Sequence, residues 1–318
     1  MDIFINIFIN SIIPIFLLIA VGFVIDKKFN LDTNTLTKIT FYVFIPAFMF
    51  VNIYSTAISL DLIWVVVLTI TLLAVNFLFG MGLGRVLGLV YKTRKAFENS
   101  VMFHNCGNVG ISLITLVFTG AYFIVDGDTP YLELAISVQV MTLMVQNLFM
   151  NTFGFINSGG EGMTLKKGTL QVLKMPAIYA VAFAVLLKFV PFDITPTPVF
   201  TSLSILRVGM IPLSLVTLGA QLSKTKLNLK LKTPYISTFC RLLVAPAFAF
   251  VLIKLFGFEG VIAQAILIGS STPTAINSAL LSIETKGDVD FAVQTVTVST
   301  LFSAITMTAV VYLAIILF

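Results

Sequence analysis

The spacing of its apolar runs constrains this chain more than any other feature. Ten stretches, at about 3–25, 37–57, 62–90, 96–120, 131–156, 172–190, 198–222, 233–256, 259–283 and 289–318, read as membrane spans. Crossing a bilayer as a helix takes roughly 20 predominantly apolar residues. Connections between the runs reach about a dozen residues, as at 26–36 and 157–168, so no soluble domain of any size is left. Strands of a membrane barrel alternate polar and apolar residues over about 10 positions; these runs are longer and apolar on every side. Composition agrees: 58% of the 318 residues are hydrophobic and 10% are charged, against roughly 25% charged in an average soluble domain. A water-soluble globular enzyme, a disordered chain and a collagen are thereby excluded. Cys106 and Cys240 both sit in apolar runs and make no disulfide framework. The opening MDIFINIFIN lacks the basic region of a secretory signal, so the first run is expected to stay as a span.

Lysine and arginine set the orientation. With the N-terminus outside, the inner connections hold fifteen of the nineteen basic residues, including Lys27, Lys28, Arg85, Lys92, Lys166, Lys167, Lys224, Lys226, Lys230 and Lys232. The outer connections hold Lys188 and Lys254, and Arg207 and Arg241 fall inside spans. The expectation is a multi-pass protein of the cell membrane with both termini extracytoplasmic. The lipid bilayer is its partner, and the net charge of +5 needs no nucleic acid to explain it.

A division near residue 165 gives halves 1–165 and 166–318 with five runs each. An odd number of spans per half forces opposite orientations, so any likeness between the halves reads as an inverted repeat. Pro14 and Pro176 stand early in runs one and six, Pro46 and Pro212 in runs two and seven, and Gly107 and Pro273 in runs four and nine. The offsets are 162, 166 and 166 residues. The fold class expected is an all-α membrane protein of ten helices in two inverted five-helix repeats, with helices four and nine broken.

Those two runs are each interrupted near the middle by small and polar residues, HNCGNVGIS from His104 and GSSTPTAINS from Gly269. Such stretches break the i→i−4 ladder. In hydrocarbon, the freed backbone groups are tolerated where protein or a water-filled cavity satisfies them. The bland reading is a pair of kinks that help helices pack. The functional one is that the second half-helix of each run points its N-terminus at the midplane. Two such ends, each with about half a positive charge, make an anion site. Candidate substrate contacts are Asn105, Gly107, Asn108 and Gly110 from the first interruption, and Thr272, Pro273, Thr274 and Asn277 from the second. The first-half C-termini would present carbonyls able to hold a cation, though no carboxylate lies in either break.

Arg207 and Arg241 each lie about nine residues into a span, near midplane depth. Each either pairs with an anionic substrate or ties down the carbonyls of a broken helix; Arg207 joins the candidate site. His104, the one histidine, is either a proton-coupling group or a hydrogen-bonded residue beside the break. Gln139, Gln146 and Asn147 share one helical stripe and either line the cavity or bond a neighbouring helix; Gln146 joins the candidates. Ser299, Thr300, Ser303 and Thr306 suit close helix packing. No cofactor and no metal cluster is implied.

With these residues in view, the chain resembles the auxin efflux carrier family, in particular its bacterial members described as malate or malonate permeases. NCGNVGISL, STPTAINSALLS, IPLSLVTLGAQL, RLLVAPAFAF and STLFSAITM carry the resemblance across both halves. It implies a fold like the bile-acid/sodium symporters: a scaffold domain of spans one, two, six and seven, and a transport domain of spans three to five and eight to ten. It also implies an elevator-like exchange of access, with the family's crossover Asn at Asn105 or Asn108 and its Pro at Pro273. Gly-Ile-Ser, ending at Ser112, stands where many relatives have a proline, leaving Gly107 and Gly110 to supply flexibility. The function expected is secondary transport of a small organic anion, a mono- or dicarboxylate, with H⁺ or Na⁺ as candidate coupling ions and a second copy as a candidate partner. The alternatives are a channel or a transporter-like sensor of organic anions. An intramembrane enzyme would need a catalytic pair at depth, which one histidine and no aspartate within a span do not supply.

Overall fold

The computed structural model describes residues 2–56, 59–159, 173–225 and 231–318. Among them the extended pairings are two isolated bridges, His104 with Thr274 and Val125 with Asp128; all else with regular structure is helical. In chain order the helices are α1 (Ile3–Phe29), α2 (Thr33–Ser55), α3 (Leu60–Val86), α4 (Tyr91–Met102), α5 (Cys106–Phe118), α6 (Leu132–Asn157), α7 (Pro176–Leu187), α8 (Pro198–Ser223), α9 (Thr233–Phe256), α10 (Gly260–Ser270), α11 (Ile276–Glu284) and α12 (Val289–Leu317). Seven of them, α1, α2, α3, α6, α8, α9 and α12, are long and apolar enough to cross a membrane.

The other three expected runs differ. Runs four and nine are divided, into α4 with α5 and α10 with α11. Run six appears as α7, which begins at Pro176, a residue whose fixed φ and missing N–H suit the first helical turn. Helix α3 also stops short of residue 90: Gly88 takes φ +62°, open to glycine, and α4 starts early at Tyr91. The expected junction near residue 165, and Lys166, Lys167, Lys226 and Lys230, lie outside the described residues.

Three long helices contain a wide π turn just before a proline: Phe8–Ile12 before Pro14, Thr40–Phe44 before Pro46, and Cys240–Val244 before Pro246. A proline ring clashes with the carbonyl four residues back and offers it no hydrogen. One turn of i→i+5 bonding absorbs that mismatch and lets the helix continue.

The outer surface is apolar. Helix α3 exposes Leu60, Ile63, Trp64, Val67 and Ile70 along one side while burying Val65, Leu68 and Leu72 on the other. That is the pattern of a helix with lipid on one face and protein on the other. Helices α1 and α8 meet main chain to main chain. A Cβ at Gly22 would lie 2.0 Å from the Val216 carbonyl oxygen, and one at Gly219 would lie 1.9 Å from that of Ile19. At the end of this seam the buried Asp26 carboxylate accepts from the Ser223 hydroxyl, with Lys224 Nζ at 3.6 Å. Asp26 in the last turn of α1, and Asp61 and Asp290 in the first turns of α3 and α12, thus fall within candidate spans, correcting the expectation of no aspartate within one; the partners of Asp26 make its burial tolerable. Glu98 is fully buried as well. Lys95 Nζ reaches its carboxylate at 2.8 Å and Asn157 Oδ1 at 2.9 Å, which fixes α4 against the end of α6.

Candidate functional site

The two breaks meet. Phe103 (φ −102°, ψ 126°) and Ala275 (φ −63°, ψ 133°) are extended. The Asn105 amide donates to the Pro273 carbonyl at 2.7 Å, and the Ala275 amide to the Phe103 carbonyl at 3.1 Å. The result is a minimal antiparallel ladder centred on His104 and Thr274. Each break therefore satisfies backbone groups that the other leaves open, as burial requires. Pro273 accounts for the second interruption, since it has no amide hydrogen and disfavours helix at Thr272. The first has no proline. There Asn105 caps α5, its Oδ1 accepting from the Asn108 amide at 3.2 Å. Helix α5 opens with a π turn, Cys106–Gly110, closed by the Gly110 amide on the Asn105 carbonyl at 2.9 Å.

Side chains lock the crossing. His104 Nδ1 lies 2.8 Å from Thr272 Oγ1, and the His104 amide donates to Gln146 Oε1 at 3.1 Å. The Thr274 hydroxyl donates to the Ser100 carbonyl at 3.0 Å, and the Thr274 amide to Ser299 Oγ at 3.2 Å. Thr272 and Thr274 are fully buried in this framework.

A cleft of about 90 Å³ lies between the crossing and the helices α2, α6 and α8. Of the candidate contacts, Asn105, Gly107, Asn108, Gln146 and Asn277 line it; Gly110, Thr272, Pro273, Thr274 and Arg207 do not. Arg207 points instead to Asn52 Oδ1 at 3.5 Å. Arg241 also stays out of the cleft and donates to main-chain carbonyls, the second of the roles open to it. Among the described residues the lining contains no Asp, Glu, Lys or Arg. Two of its residues, Asn105 and Gln146, 6% and 1% exposed, carry buried donors without a partner, Nδ2 and Nε2. Helix α11 begins here at Ile276 with no side-chain cap. Thr37, Thr40, Ser214, Thr217 and Gln221 add polar groups from α2 and α8. Such a lining offers hydrogen to an anion and no fixed charge to a cation.

Gln139 belongs to the crossing more tightly than its sequence context suggests. Its Nε2 donates to the Cys106 carbonyl at 2.7 Å. A Cβ at Gly110 would sit 2.3 Å from that Nε2, and one at Gly269 would sit 2.4 Å from Oε1. The amide is thus wedged between the two broken helices, and each glycine is there to admit it. Gly269→Ala should destabilise the protein by about 1–3 kcal/mol, as overpacking does. Adding Gln139→Ala should return part of that loss, read as a positive coupling in melting experiments on the double-mutant cycle. The signal available in the sequence was the helical stripe of Gln139 with Gln146; the glycine on the far side, 130 positions away, carries no local mark.

A family model described as membrane transport protein matches residues 7–169 and, separately, 162–311. The chain belongs to this family, the auxin efflux carriers. Among relatives of this auxin efflux carrier family member, an uncharacterized transporter of Methanothermobacter thermautotrophicus is 23% identical over 305 residues, covering 94% of this chain and 95% of that protein. An uncharacterized transporter of Methanocaldococcus jannaschii is 27% identical over 135 residues, 42% of this chain and 44% of the relative, so that alignment spans less than half of either. Membership places the chain among membrane transport proteins rather than enzymes.

Proposed function

We propose that the chain is a secondary transporter that moves a small organic anion, a mono- or dicarboxylate such as malate or malonate, across the cell membrane by elevator-like alternating access. The observation that carries this reading is a pair of buried, unpartnered amide donors, Asn105 Nδ2 and Gln146 Nε2, on residues that line a cleft free, among the described residues, of Asp, Glu, Lys and Arg. An entering carboxylate would take both donors, and each hydrogen bond to a charged group contributes about 1.5–3 kcal/mol. The N-terminal ends of α5 and α11 add partial positive charge at the same place.

The wider architecture of the proposal is ten spans in two inverted five-helix repeats, α4–α5 and α10–α11 each counting as one broken span. The separate family matches to residues 7–169 and 162–311 support it, as does the antiparallel pairing of the breaks. The scaffold would be α1, α2, α7 and α8, and the transport domain the remainder. The cleft shares Thr37, Gln221 and Ile276 with a vestibule of about 440 Å³. That vestibule lies where α2 begins and α8 ends, beside Lys224. This is the basic, cytoplasmic side under the positive-inside rule, with both termini outside.

Proteoliposome uptake of labelled malonate and malate tests the reading. Saturable uptake, competed by other small carboxylates, is the expected result. Flux that never saturates would make the protein a channel, and binding without flux would make it a sensor.

A further inference from the structure

Arg241 is the largest fully buried side chain among the described residues. It sits in the wide turn of α9, Cys240–Val244. One guanidinium nitrogen, Nη1, donates to the Val101 carbonyl at 2.9 Å, and Nη2 donates to the Ser270 carbonyl at 2.5 Å. Val101 is in the last turn of α4 and Ser270 ends α10. A single side chain thus joins the C-terminal ends of both first-half helices. The ion pairs among the described residues use Arg94, Lys95 and Lys224 and leave Arg241 without a carboxylate.

The last carbonyls of a helix lack intrahelical partners and carry about half a negative charge. Two such ends together make roughly one negative unit, the amount one guanidinium offsets. A crossing of two broken helices otherwise sums to nothing, two positive poles against two negative ones. With the negative pair neutralised, the N-terminal pair facing the cleft is left unopposed at roughly one positive unit. Carbonyl poles of this kind are where a discontinuous helix can hold an alkali cation.

We propose that Arg241 is the resident cation of the crossing. It fixes α4 to α10, leaves the cleft positive, and makes anion binding independent of Na⁺ and K⁺. Arg241 is a positioning residue, acting on substrate through the two half-helices. The inference about substrate rests on the anion-transport reading above; the inference about the carbonyl poles does not.

The experiment uses the full chain in nanodiscs, with malonate as probe, in sodium, potassium or choline chloride at equal ionic strength. For the parent protein the malonate Kd should agree within about twofold across the three salts. Arg241→Ala should bind about tenfold more weakly or worse in choline. Guanidinium at low millimolar concentration, or Na⁺, should restore part of the affinity and raise the melting temperature of this variant. Arg241→Lys keeps the charge without the two-pronged contact and should fall between the two, still indifferent to the salt. Parent binding that collapses in choline overturns the proposal, and so does Arg241→Ala with parental affinity there. If Arg241→Ala does not fold, the parent and Arg241→Lys salt series decide. If the parent binds no carboxylate, the transport reading fails on its own. The melting of Arg241→Ala then remains decisive: no rise with guanidinium or Na⁺ overturns the cation role.

Discussion

Asn105→Asp is expected to fold and melt like the parent while binding carboxylates about a hundredfold more weakly. The two halves of this side chain do different work. Oδ1 caps α5 by accepting from the Asn108 amide, and Asp serves as a cap as well as Asn does. Nδ2 is buried without a partner, on a residue that lines the cleft. Exchanging it for an anionic oxygen removes a donor worth about 1.5–3 kcal/mol to a charged ligand and sets a like charge against the substrate. A hundredfold loss corresponds to about 2.7 kcal/mol, within that range before repulsion is added. Asn105→Ala should lower both affinity and melting temperature, since it removes cap and donor together. Parallel melting and malonate-binding measurements separate the two effects. Undiminished binding by Asn105→Asp would mean that the substrate lies elsewhere.

The largest effect on stability is expected from Gly219→Leu. Overpacking typically costs about 1–3 kcal/mol, and more where nothing can yield. At Gly219 the obstacle is the main chain of α1: a Cβ would stand 1.9 Å from the Ile19 carbonyl oxygen and 2.8 Å from the Phe23 nitrogen. No side-chain rotation relieves that contact. The helices would have to separate, opening the Asp26–Ser223 tie at the end of the seam. The variant should yield little monodisperse protein by size exclusion, and what survives should melt well below the parent. Gly82→Ala, where an added Cβ meets nothing within 4 Å, is the matched control and should be unchanged.

Much of this was legible in the residue order, and the reasons are physical. Hydrocarbon enforces a length and an apolarity on every span, so the long helices stand out, as α12 does at Val289–Leu317. Polar and small residues at membrane depth are rare enough that the two interruptions mark themselves, and Pro273 supplies a stereochemical cause for one of them. Distance defeats the same reasoning elsewhere. That Gly110 and Gly269 both make room for Gln139 is a fact about three segments meeting, and none of them records it alone. Arg207 and Arg241 stand at similar depths in consecutive spans, yet one reaches Asn52 near the end of α2 and the other ties two helix ends together. Depth along a helix is readable from sequence; the direction in which a side chain leaves it is set by neighbours a hundred residues away. Asp26 shows the same limit: a carboxylate just past an apolar run reads as lying outside the span until its serine and lysine partners are known.

The ladder at the crossing means that neither half of the chain closes its own middle. Residues 103–105 by themselves would leave a carbonyl and an amide open in the interior, and residues 273–275 would leave the complementary two. The cleft beside the crossing is therefore the joint property of segments about 170 positions apart. A half-length piece of such a chain would have to meet the other half, each lending the other the bonds it lacks.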